Sequence, residues 1–464
     1  MTQTTHDPDI LSTLSAKQRA LLELRLRRRR DQAPLPVKSD DENLLLAASV
    51  ERVDELLSKF YGRFPWPWPA MKFDYLEDLY FETAMLNQDV GSWRHRALPR
   101  DPEIWVAGCG TNQAIHTALR FRNGRVVGSD VSARSLEICG RNARAVGLTN
   151  LELKEESINH VPYRERFDYV ACTGVIHHNA DPRATLEKIA AALRPDGVLE
   201  LMVYNRFHRL ITSSFQKAVR IFGEGRAEAA DFDAELALAR KIVGSISVRK
   251  TLERAFIQFM DFSESDFADL LIQPVEHSYT VESLADLAAD CGLELVAPCI
   301  SPYAKNLATY MWNLSFDDPE LQGRYDALPD ARRWQVTNLL LSDKSPLLWF
   351  YLRRRDSGRW GKTEAEVNEE FLSARFEKTR TTQRSYIRAD EATYRPSPAA
   401  VPYPLAAPDE SVRPVFEAAD GRLTMREVLA RAGVAPTFGA VSEIRTKLTT
   451  AAFPYLRSVT EEAA

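Results

Sequence analysis

The stretch that decides the fold runs from Ile104 to Asn112 and reads Ile-Trp-Val-Ala-Gly-Cys-Gly-Thr-Asn. Its first four residues are apolar and predict a short buried strand, whereas residues 112–122 have the pattern of a helix. Between them stand Gly108, Cys109 and Gly110. Because glycine has no Cβ, the backbone can turn tightly here and approach a ligand closely. The free N–H groups of the following helix start at the same place, so the turn is predicted to bind a ligand.

An acid follows the glycine turn at a meaningful distance. Asp130 lies 20 residues after Gly110, at the end of the predicted strand 125–129. At that point a carboxylate can accept both hydrogen bonds from a ribose diol. The alternative is that Asp130 caps the next helix together with Ser132. We interpret the pair of features as a site for a nucleoside-bearing ligand.

Residues 100–204 alternate strands and helices in a regular order. The predicted strands are 104–107, 125–129, 151–155, 167–172 and 197–204, and the predicted helices are 112–122, 132–146 and 183–193. Strands joined by helices of this length form right-handed crossovers and a parallel sheet. A later run, 347–352, is expected to add an antiparallel strand. The pattern predicts an α/β fold with a Rossmann-like, doubly wound, mainly parallel sheet.

The ordered motifs resemble those of class I S-adenosylmethionine-dependent methyltransferases. After the glycine turn these motifs are Val127-Gly-Ser-Asp130, Phe167-Asp-Tyr-Val170, Val175-Ile-His-His178 and Leu193-Arg-Pro-Asp-Gly197. The resemblance implies S-adenosylmethionine as cofactor and methyl transfer as activity. A NAD-binding Rossmann domain is the rival, since it also uses glycines and a later acid. The last two motifs and the late antiparallel strand weigh against it.

The resemblance also implies a set of cofactor-binding residues. They are Gly108, Cys109, Gly110, Asn112, Asp130, Val131, Glu156, Ser157, Ile158, Cys172, Thr173 and Gly174. In the family the glycine turn passes under the methionine part and ribose, and the acid of the second strand holds the ribose hydroxyls. The residues after the third strand recognise the adenine. Those that end the fourth strand lie beside the sulfonium and the reacting methyl.

The turn departs from the family pattern at two positions. The acid that usually stands two residues before the first glycine is replaced by Val106, and Asn112 replaces the third glycine. Contacts to the cofactor's amino group are therefore expected from elsewhere. Asn87, Gln88 and Asp89, just before the fold, offer polar groups for this purpose. The alternative is that these residues only cap a helix.

Four residues are candidates for catalysis or acceptor binding: His177, His178, Tyr204 and Asn205. The two histidines follow the fourth strand on the ligand side of the sheet, and one could act as general base. The alternative is that they only shape the cofactor pocket. Tyr204 and Asn205 end the fifth strand at the same rim. His277 and Tyr279 follow a helical insertion and are expected to close the pocket from above.

The expected organisation has five parts. They are an N-terminal helical arm (1–36), a helical and aromatic cap (37–99), the methyltransferase domain (100–356) with a helical insertion (205–277), a partly helical linker (357–400) and a small accessory domain (401–464). The cap contains Phe64-Pro-Trp-Pro-Trp-Pro69, which could wall a pocket or pin the arm to the next domain. The accessory domain resembles small winged-helix-like units.

Whole-chain properties limit the partners. At 464 residues the chain is expected to hold at least two folded units. The net charge of −5 disfavours nucleic acid as a partner. Five cysteines without CxxC spacing indicate neither disulfides nor a metal site, and they fit a reducing cytoplasm. No apolar run approaches membrane-spanning length, so no membrane partner is expected.

The sequence thus predicts a cytoplasmic methyltransferase with an enclosed pocket. The segment 14–26 resembles sequences near the module junctions of nonribosomal peptide and polyketide synthetases, which implies O- or N-methylation of a small-molecule or carrier-protein-bound intermediate in secondary metabolite biosynthesis. Two alternatives stay open. The accessory domain could recognise a protein or peptide substrate, or serve as a packing or homodimer surface. Val106 and Asn112 leave room for a non-catalytic, cofactor-binding regulator.

Overall fold

The computed structural model describes residues 49–67, 69–93, 97–223, 231–245, 248, 250, 263–306, 310–341, 345–357, 361–390 and 393–459. The strands are β1 (Lys72–Leu76), β2 (Glu103–Ala107), β3 (Arg125–Asp130), β4 (Leu151–Glu155), β5 (Phe167–Thr173), β6 (Leu193–Tyr204), β7 (Leu293–Pro298), β8 (Leu347–Arg354), β9 (Phe376–Lys378), β10 (Thr381–Arg388), β11 (Tyr394–Pro396), β12 (Val401–Tyr403), β13 (Phe453–Pro454) and β14 (Leu456–Ser458).

The same described residues also contain sixteen α-helices. They are α1 (Val50–Arg63), α2 (Phe81–Asp89), α3 (Gln113–Arg120), α4 (Ala133–Ala145), α5 (Pro182–Ala192), α6 (Arg206–Gly223), α7 (Phe232–Val243), α8 (Glu264–Leu271), α9 (Val281–Asp290), α10 (Pro302–Asn306), α11 (Pro319–Asp326), α12 (Asp330–Leu340), α13 (Glu364–Ser373), α14 (Arg413–Ala418), α15 (Met425–Arg431) and α16 (Phe438–Thr449).

A seven-stranded sheet with the order β4-β3-β2-β5-β6-β8-β7 forms the centre of the fold. The pairs β4–β3, β3–β2, β2–β5 and β5–β6 are parallel. Strand β8 runs antiparallel to both of its neighbours, β6 and β7. The predicted Rossmann-like, mainly parallel sheet with a late antiparallel strand is confirmed.

The central strands are apolar along their whole length because helices cover both faces of the sheet. Ile104, Trp105, Val106 and Ala107 of β2 are each at most 1% exposed. The helices between strands start at the residues that sequence reasoning expects. Ser132 caps α4 by accepting a hydrogen bond from the Ser135 amide, and Pro182 occupies the first turn of α5.

A second sheet joins two segments that lie far apart in the sequence. Strand β1 pairs with β10 over five residue pairs, from Lys72–Ile387 to Leu76–Gln383. Strands β11 and β12 also pair with β10. The described residues of 357–400, expected as a partly helical linker, hold one helix and three strands, and one of these strands pairs with β1 of the predicted cap. A side-chain hydrogen bond accompanies this pairing, in which Ser385 Oγ donates to Asp74 Oδ1 at 2.6 Å.

The insertion between β6 and β7 is helical as predicted, with α6, α7 and α8 in its described part. The described residues of 401–464 form three helices and three short strands, of which β12 pairs with β10 and β14 with β9. The winged-helix likeness of this unit stays a prediction, as do the domain boundaries. The predicted arm, 1–36, lies outside the described residues. No helix in the described ranges combines the length and apolarity needed to cross a membrane.

Candidate active site

The glycine turn between β2 and α3 has a backbone that only glycine allows. Gly108 and Gly110 have φ values of 70° and 53°, in the left-handed region. A Cβ on Gly108 would lie 2.5 Å from a methyl carbon of Val175. A Cβ on Gly110 would lie 2.5 Å from the carbonyl oxygen of Trp66. Both conformation and space therefore require glycine here.

Asp130 ties this turn to the neighbouring strand. Its Oδ2 accepts a hydrogen bond from the Gly110 amide at 2.8 Å, and its Oδ1 accepts one from the Ser132 amide at 2.8 Å. Helix α4 is capped by the Ser132 side chain, not by Asp130. Burial raises the pKa of Asp130. The carboxylate therefore lies at the ligand side of the turn rather than serving as a helix cap.

A cavity of about 650 Å³ opens above the carboxyl ends of the parallel strands. Nine predicted cofactor residues line it: Gly108, Gly110, Asp130, Val131, Glu156, Ser157, Ile158, Thr173 and Gly174. Three other predicted residues do not: Cys109, Asn112 and Cys172, the last of which is fully buried within β5. Cys109 is fully buried beneath the turn, and Asn112 is 3% exposed at the N-cap of α3. Their backbone shapes the turn, whereas their side chains belong to the core.

The aromatic segment of the N-terminal cap forms one wall of the cavity. The sequence had left two roles open for this segment. The Thr111 amide donates to Trp66 O at 3.1 Å, and Thr111 Oγ1 donates to Pro67 O at 2.5 Å. Trp66 and Pro67 thus lie over the glycine turn and line the cavity. We name residues 64–67 the cap strap. Of the two roles considered for the aromatic cluster, the strap fulfils the pocket-wall role.

Helix α1 lines the cavity along one face, which sequence reasoning missed. Asp54, Leu57 and Tyr61 all contact the cavity. Their spacing of three and four residues places them on one side of the helix. The sequence did contain a signal for this role. Asp54 and Tyr61 are polar residues beside the apolar positions that predict the buried face of the helix.

The structure places Asn87 and Gln88 away from the cavity. Asn87 Oδ1 accepts the amides of Ala97 and Leu98 at 2.6 and 2.9 Å. Gln88 Nε2 donates to Thr449 O at 2.9 Å and to Leu456 O at 3.1 Å, and its Oε1 accepts the Ser458 amide.

Asp89, the third residue of this group, accepts hydrogen bonds from Tyr351 and Ala451. Gln88 and Asp89 thereby hold the C-terminal unit against the central domain, whereas Asn87 fixes the backbone at Ala97 and Leu98. The expectation that they bind the cofactor's amino group is corrected because their hydrogen-bonding groups are occupied by protein partners.

The two histidines after β5 have different surroundings. His178 lines the cavity, and its Nδ1 lies 2.8 Å from Val275 O. A carbonyl oxygen can only accept, so Nδ1 carries the proton and Nε2 keeps a lone pair. Burial lowers the pKa of His178 to about 4, so the ring is neutral at neutral pH. His177 does not line the cavity; it is fully buried, and its ring lies 4.0 Å from that of Tyr204.

Of the two residues predicted at the end of the fifth strand, Tyr204 lines the cavity, as does Met202 of the same strand, whereas Asn205 is not among the described lining residues. Asn205 is fully buried, donates to Ser345 O at 2.6 Å, and accepts the Phe207 amide at the start of α6. Asn205 therefore holds the insertion in place. His277 and Tyr279, expected above the pocket, are likewise outside its lining: His277 Nε2 lies 3.1 Å from Asn179 O, and Tyr279 pairs with the backbone of Tyr204.

The insertion brings a polar cluster to the cavity that sequence reasoning also missed. Asp269 of α8 accepts hydrogen bonds from Tyr61 and Tyr204, at 3.2 and 3.4 Å. Arg209 of α6 forms a buried ion pair with Glu276, and its guanidinium carbon lies 4.1 Å from the Tyr204 ring centre. Asp269 and Arg209 both line the cavity. The signal in the sequence was a lone acid within the apolar run 267–272.

Comparisons with known proteins agree with this geometry. A family model described as "Methyltransferase domain" matches residues 107–226. An uncharacterised protein of Synechococcus sp. is 27% identical over 246 residues, which is 52% of this chain and 57% of that protein. A ubiquinone biosynthesis O-methyltransferase of Haemophilus ducreyi is 33% identical over 109 residues, covering 22% of this chain and 46% of that enzyme. The chain thus spans about half the length of these curated relatives.

Among solved structures, PKMT2 from Rickettsia typhi in complex with AdoHcy superposes with a TM-score of 0.52 at 11% identity. The match covers 85% of this chain and 78% of that one. At this identity the likeness concerns the fold, and it extends well beyond the central sheet.

Proposed function

Because the chain contains a class I S-adenosylmethionine-dependent methyltransferase domain, we propose that it transfers a methyl group to a small-molecule or carrier-bound acceptor. The single observation that carries this proposal is the cavity. It joins the nine motif residues of the cofactor site to a second group of polar side chains from α1, β6 and the insertion. Its volume lies within the range of small-molecule pockets.

The residues fit the cofactor on structural grounds. Gly108 and Gly110 line the cavity, and because they have no Cβ a ligand can approach the backbone of the turn closely. Asp130 offers carboxylate oxygens beside it for the ribose hydroxyls. Glu156 accepts one hydrogen bond, from Tyr163 at 2.5 Å through Oε1, and its Oε2 can receive the adenine amino group. We assign Val131 and Ile158 to the faces of the adenine.

When bound, S-adenosylmethionine supplies a methyl group that its sulfonium already activates. The protein therefore needs chiefly to align the acceptor and exclude water. The cap strap and α1 cover the cofactor half, which serves the second task. His178 presents a neutral ring whose Nε2 can accept a proton from an acceptor hydroxyl or amine. Tyr204 lies beside it, with ring centres 5.5 Å apart, and both are proposed to contact the acceptor.

The proposal is tested first by binding. We expect S-adenosylmethionine and S-adenosylhomocysteine to bind with micromolar dissociation constants in isothermal titration calorimetry. Asp130→Ala should weaken binding at least tenfold, because a hydrogen bond to a charged group contributes about 1.5–3 kcal/mol. Glu155→Ala is the matched control, since Glu155 ends the adjacent strand, is exposed and does not line the cavity.

Turnover is tested second, with methyl-labelled cofactor and a panel of alcohols, phenols, amines and carrier-bound acyl groups. Transfer of label to any class supports the proposal. Absence of cofactor binding at micromolar concentrations would overturn it, and binding without transfer to any class would point to a regulator.

A further inference from the structure

The strand order divides the cavity into a cofactor half and an acceptor half. Asp130 ends β3, the glycine turn follows β2, Thr173 ends β5 and Tyr204 ends β6. Neighbouring strands lie about 4.8 Å apart, so Tyr204 lies about 14 Å from Asp130 along the sheet edge. We name the group Tyr61, His178, Tyr204 and Asp269 the acceptor group, since it lies beyond the end of β5 where the reacting methyl is expected.

The hydroxyl donors of the acceptor group are already used within the protein. Tyr61 and Tyr204 both donate to Asp269. Tyr61 in turn accepts a hydrogen bond from Gln273 Nε2 at 2.7 Å. What remains available to a ligand are lone pairs on the Asp269 carboxylate and on the Tyr204 oxygen.

His178 adds a further hydrogen-bond acceptor to the cavity wall. The side chain is 3% exposed and lies on the cavity wall. Its Nδ1–H is donated to Val275 O. Its Nε2 has no hydrogen-bond partner among the residues that the structure describes. Because His178 lines the cavity, this lone pair can accept a hydrogen bond from a donor on a ligand.

The charged side chains that line the cavity disfavour an anionic acceptor. The described lining residues include five carboxylates, Asp54, Asp130, Glu156, Asp266 and Asp269, and one guanidinium, Arg209. The guanidinium is bonded to Glu276 through Nε and Nη2, and both side chains are at most 5% exposed. Its charge is therefore neutralised within the wall. Asp130 and Glu156 belong to the cofactor half, and Asp269 gives the acceptor group its negative charge.

We propose that the acceptor group binds the acceptor substrate through a basic amine, whose N–H groups are received by Asp269, Tyr204 Oη and His178 Nε2. This inference rests on the proposed function and specifies its substrate class. An ammonium group supplies three donors and a positive charge, whereas an alcohol supplies one donor. A carboxylate or phosphate would meet acceptors and negative charge.

The electrostatics of Asp269 agree with a cationic partner. Burial raises the pKa of Asp269 to about 6, and Arg209, Tyr61 and Tyr204 oppose this rise while Glu276 adds to it. The carboxylate is therefore mostly ionised at pH 7.5 but is destabilised by its surroundings. A bound ammonium group would relieve that destabilisation.

The test uses three probes of similar shape: 2-phenylethylamine, 2-phenylethanol and 3-phenylpropanoate. Each is titrated at pH 7.5 into the full chain saturated with S-adenosylhomocysteine. We expect the amine to bind at least tenfold more tightly than the other two. Asp269→Asn should weaken amine binding at least tenfold and leave the affinity for S-adenosylhomocysteine within twofold. Equal or tighter binding of the carboxylate, or an unchanged amine affinity in Asp269→Asn, would overturn the proposal.

Two further measurements separate the causes of failure. Glu264→Gln neutralises an exposed carboxylate on the same helix that pairs with Arg63, so amine affinity should stay within twofold. If Asp269→Asn instead loses S-adenosylhomocysteine, the carboxylate serves the cofactor's own ammonium group and the proposal is wrong. In the unaltered chain, amine affinity should fall as the pH drops below about 6, whereas alcohol affinity should not; a flat profile contradicts the inference. Failure of the unaltered chain to bind S-adenosylhomocysteine refutes the proposed function itself.

Discussion

Replacing Gly110 by alanine should displace the cap strap, and the structure gives the size of the effect. The residue has a φ of 53°, and a non-glycine residue in this region costs about 1 kcal/mol. The new Cβ would also lie 2.5 Å from Trp66 O, which is backbone and cannot rotate away. Moving the strap breaks its two hydrogen bonds with Thr111, each contributing about 1 kcal/mol. We expect the free energy of unfolding to fall by about 3 kcal/mol.

Gly147→Ala is the matched control for this substitution. Gly147 has a φ of 69°, and a Cβ there meets no atom within 4 Å. It therefore carries the backbone cost of about 1 kcal/mol without the clash. Urea unfolding followed by tryptophan fluorescence measures both variants against the unaltered chain.

Ligand affinity gives a second readout of the same prediction. Trp66 and Pro67 line the cavity, so Gly110→Ala should weaken S-adenosylhomocysteine binding at least tenfold, which corresponds to about 1.4 kcal/mol. Gly147→Ala should leave it unchanged. If the two variants lose equal stability and bind the ligand equally well, the strap does not form part of the site.

Three further substitutions test the assigned roles. Gln88→Leu should lower stability by about 3 kcal/mol, because three hydrogen bonds to the C-terminal unit are lost, while calorimetry finds unchanged S-adenosylhomocysteine affinity; weaker affinity would restore a cofactor role. Burial raises the pKa of Asp89 to about 7 from 3.8, so the folded state binds the proton more tightly. Its contribution to stability should be full below pH 4 and fall by on the order of 4 kcal/mol as the pH rises through 7, and urea titrations across pH should show no such fall in Asp89→Asn. His178→Asn keeps a donor for Val275 O but removes Nε2, so kcat should fall at least tenfold with cofactor affinity within twofold; an unchanged kcat would leave His178 a purely structural role.

The central sheet and the cofactor half could be predicted because their signals are local. A strand, a glycine turn and a helix follow one another directly, and the residues from Gly108 to Asp130 meet within one βαβ unit. Glu156 directly follows β4 and Thr173 ends β5, so both lie at the same edge of the sheet and could be predicted in the same way. The motif does not predict the side-chain roles of Cys109 and Asn112, because their backbone shapes the turn while their side chains are buried.

The remaining parts depend on contacts between distant segments, which no local pattern reveals. Strand β1 lies in the segment predicted as a cap, whereas its partner β10 lies in the segment whose composition predicts a linker. Asn87 and Gln88 look like free polar groups before the fold. Their partners are backbone groups such as Leu456 O and Leu98 N, and only the folded chain brings these within reach.

The acceptor group shows the same dependence on tertiary structure, and this has a consequence for specificity. Tyr61, Tyr204 and Asp269 come from the cap, the end of β6 and the insertion, and they meet at one carboxylate. None of them lies within the glycine-turn motif, so changes in the insertion can alter the acceptor while the turn and Asp130 stay the same. The buried Arg209–Glu276 pair fixes this arrangement, because it packs on Tyr204 and joins α6 to the segment after α8. The glycine turn and Asp130 therefore do not determine the substrate, and the insertion is the segment in which substrate specificity is expected to vary.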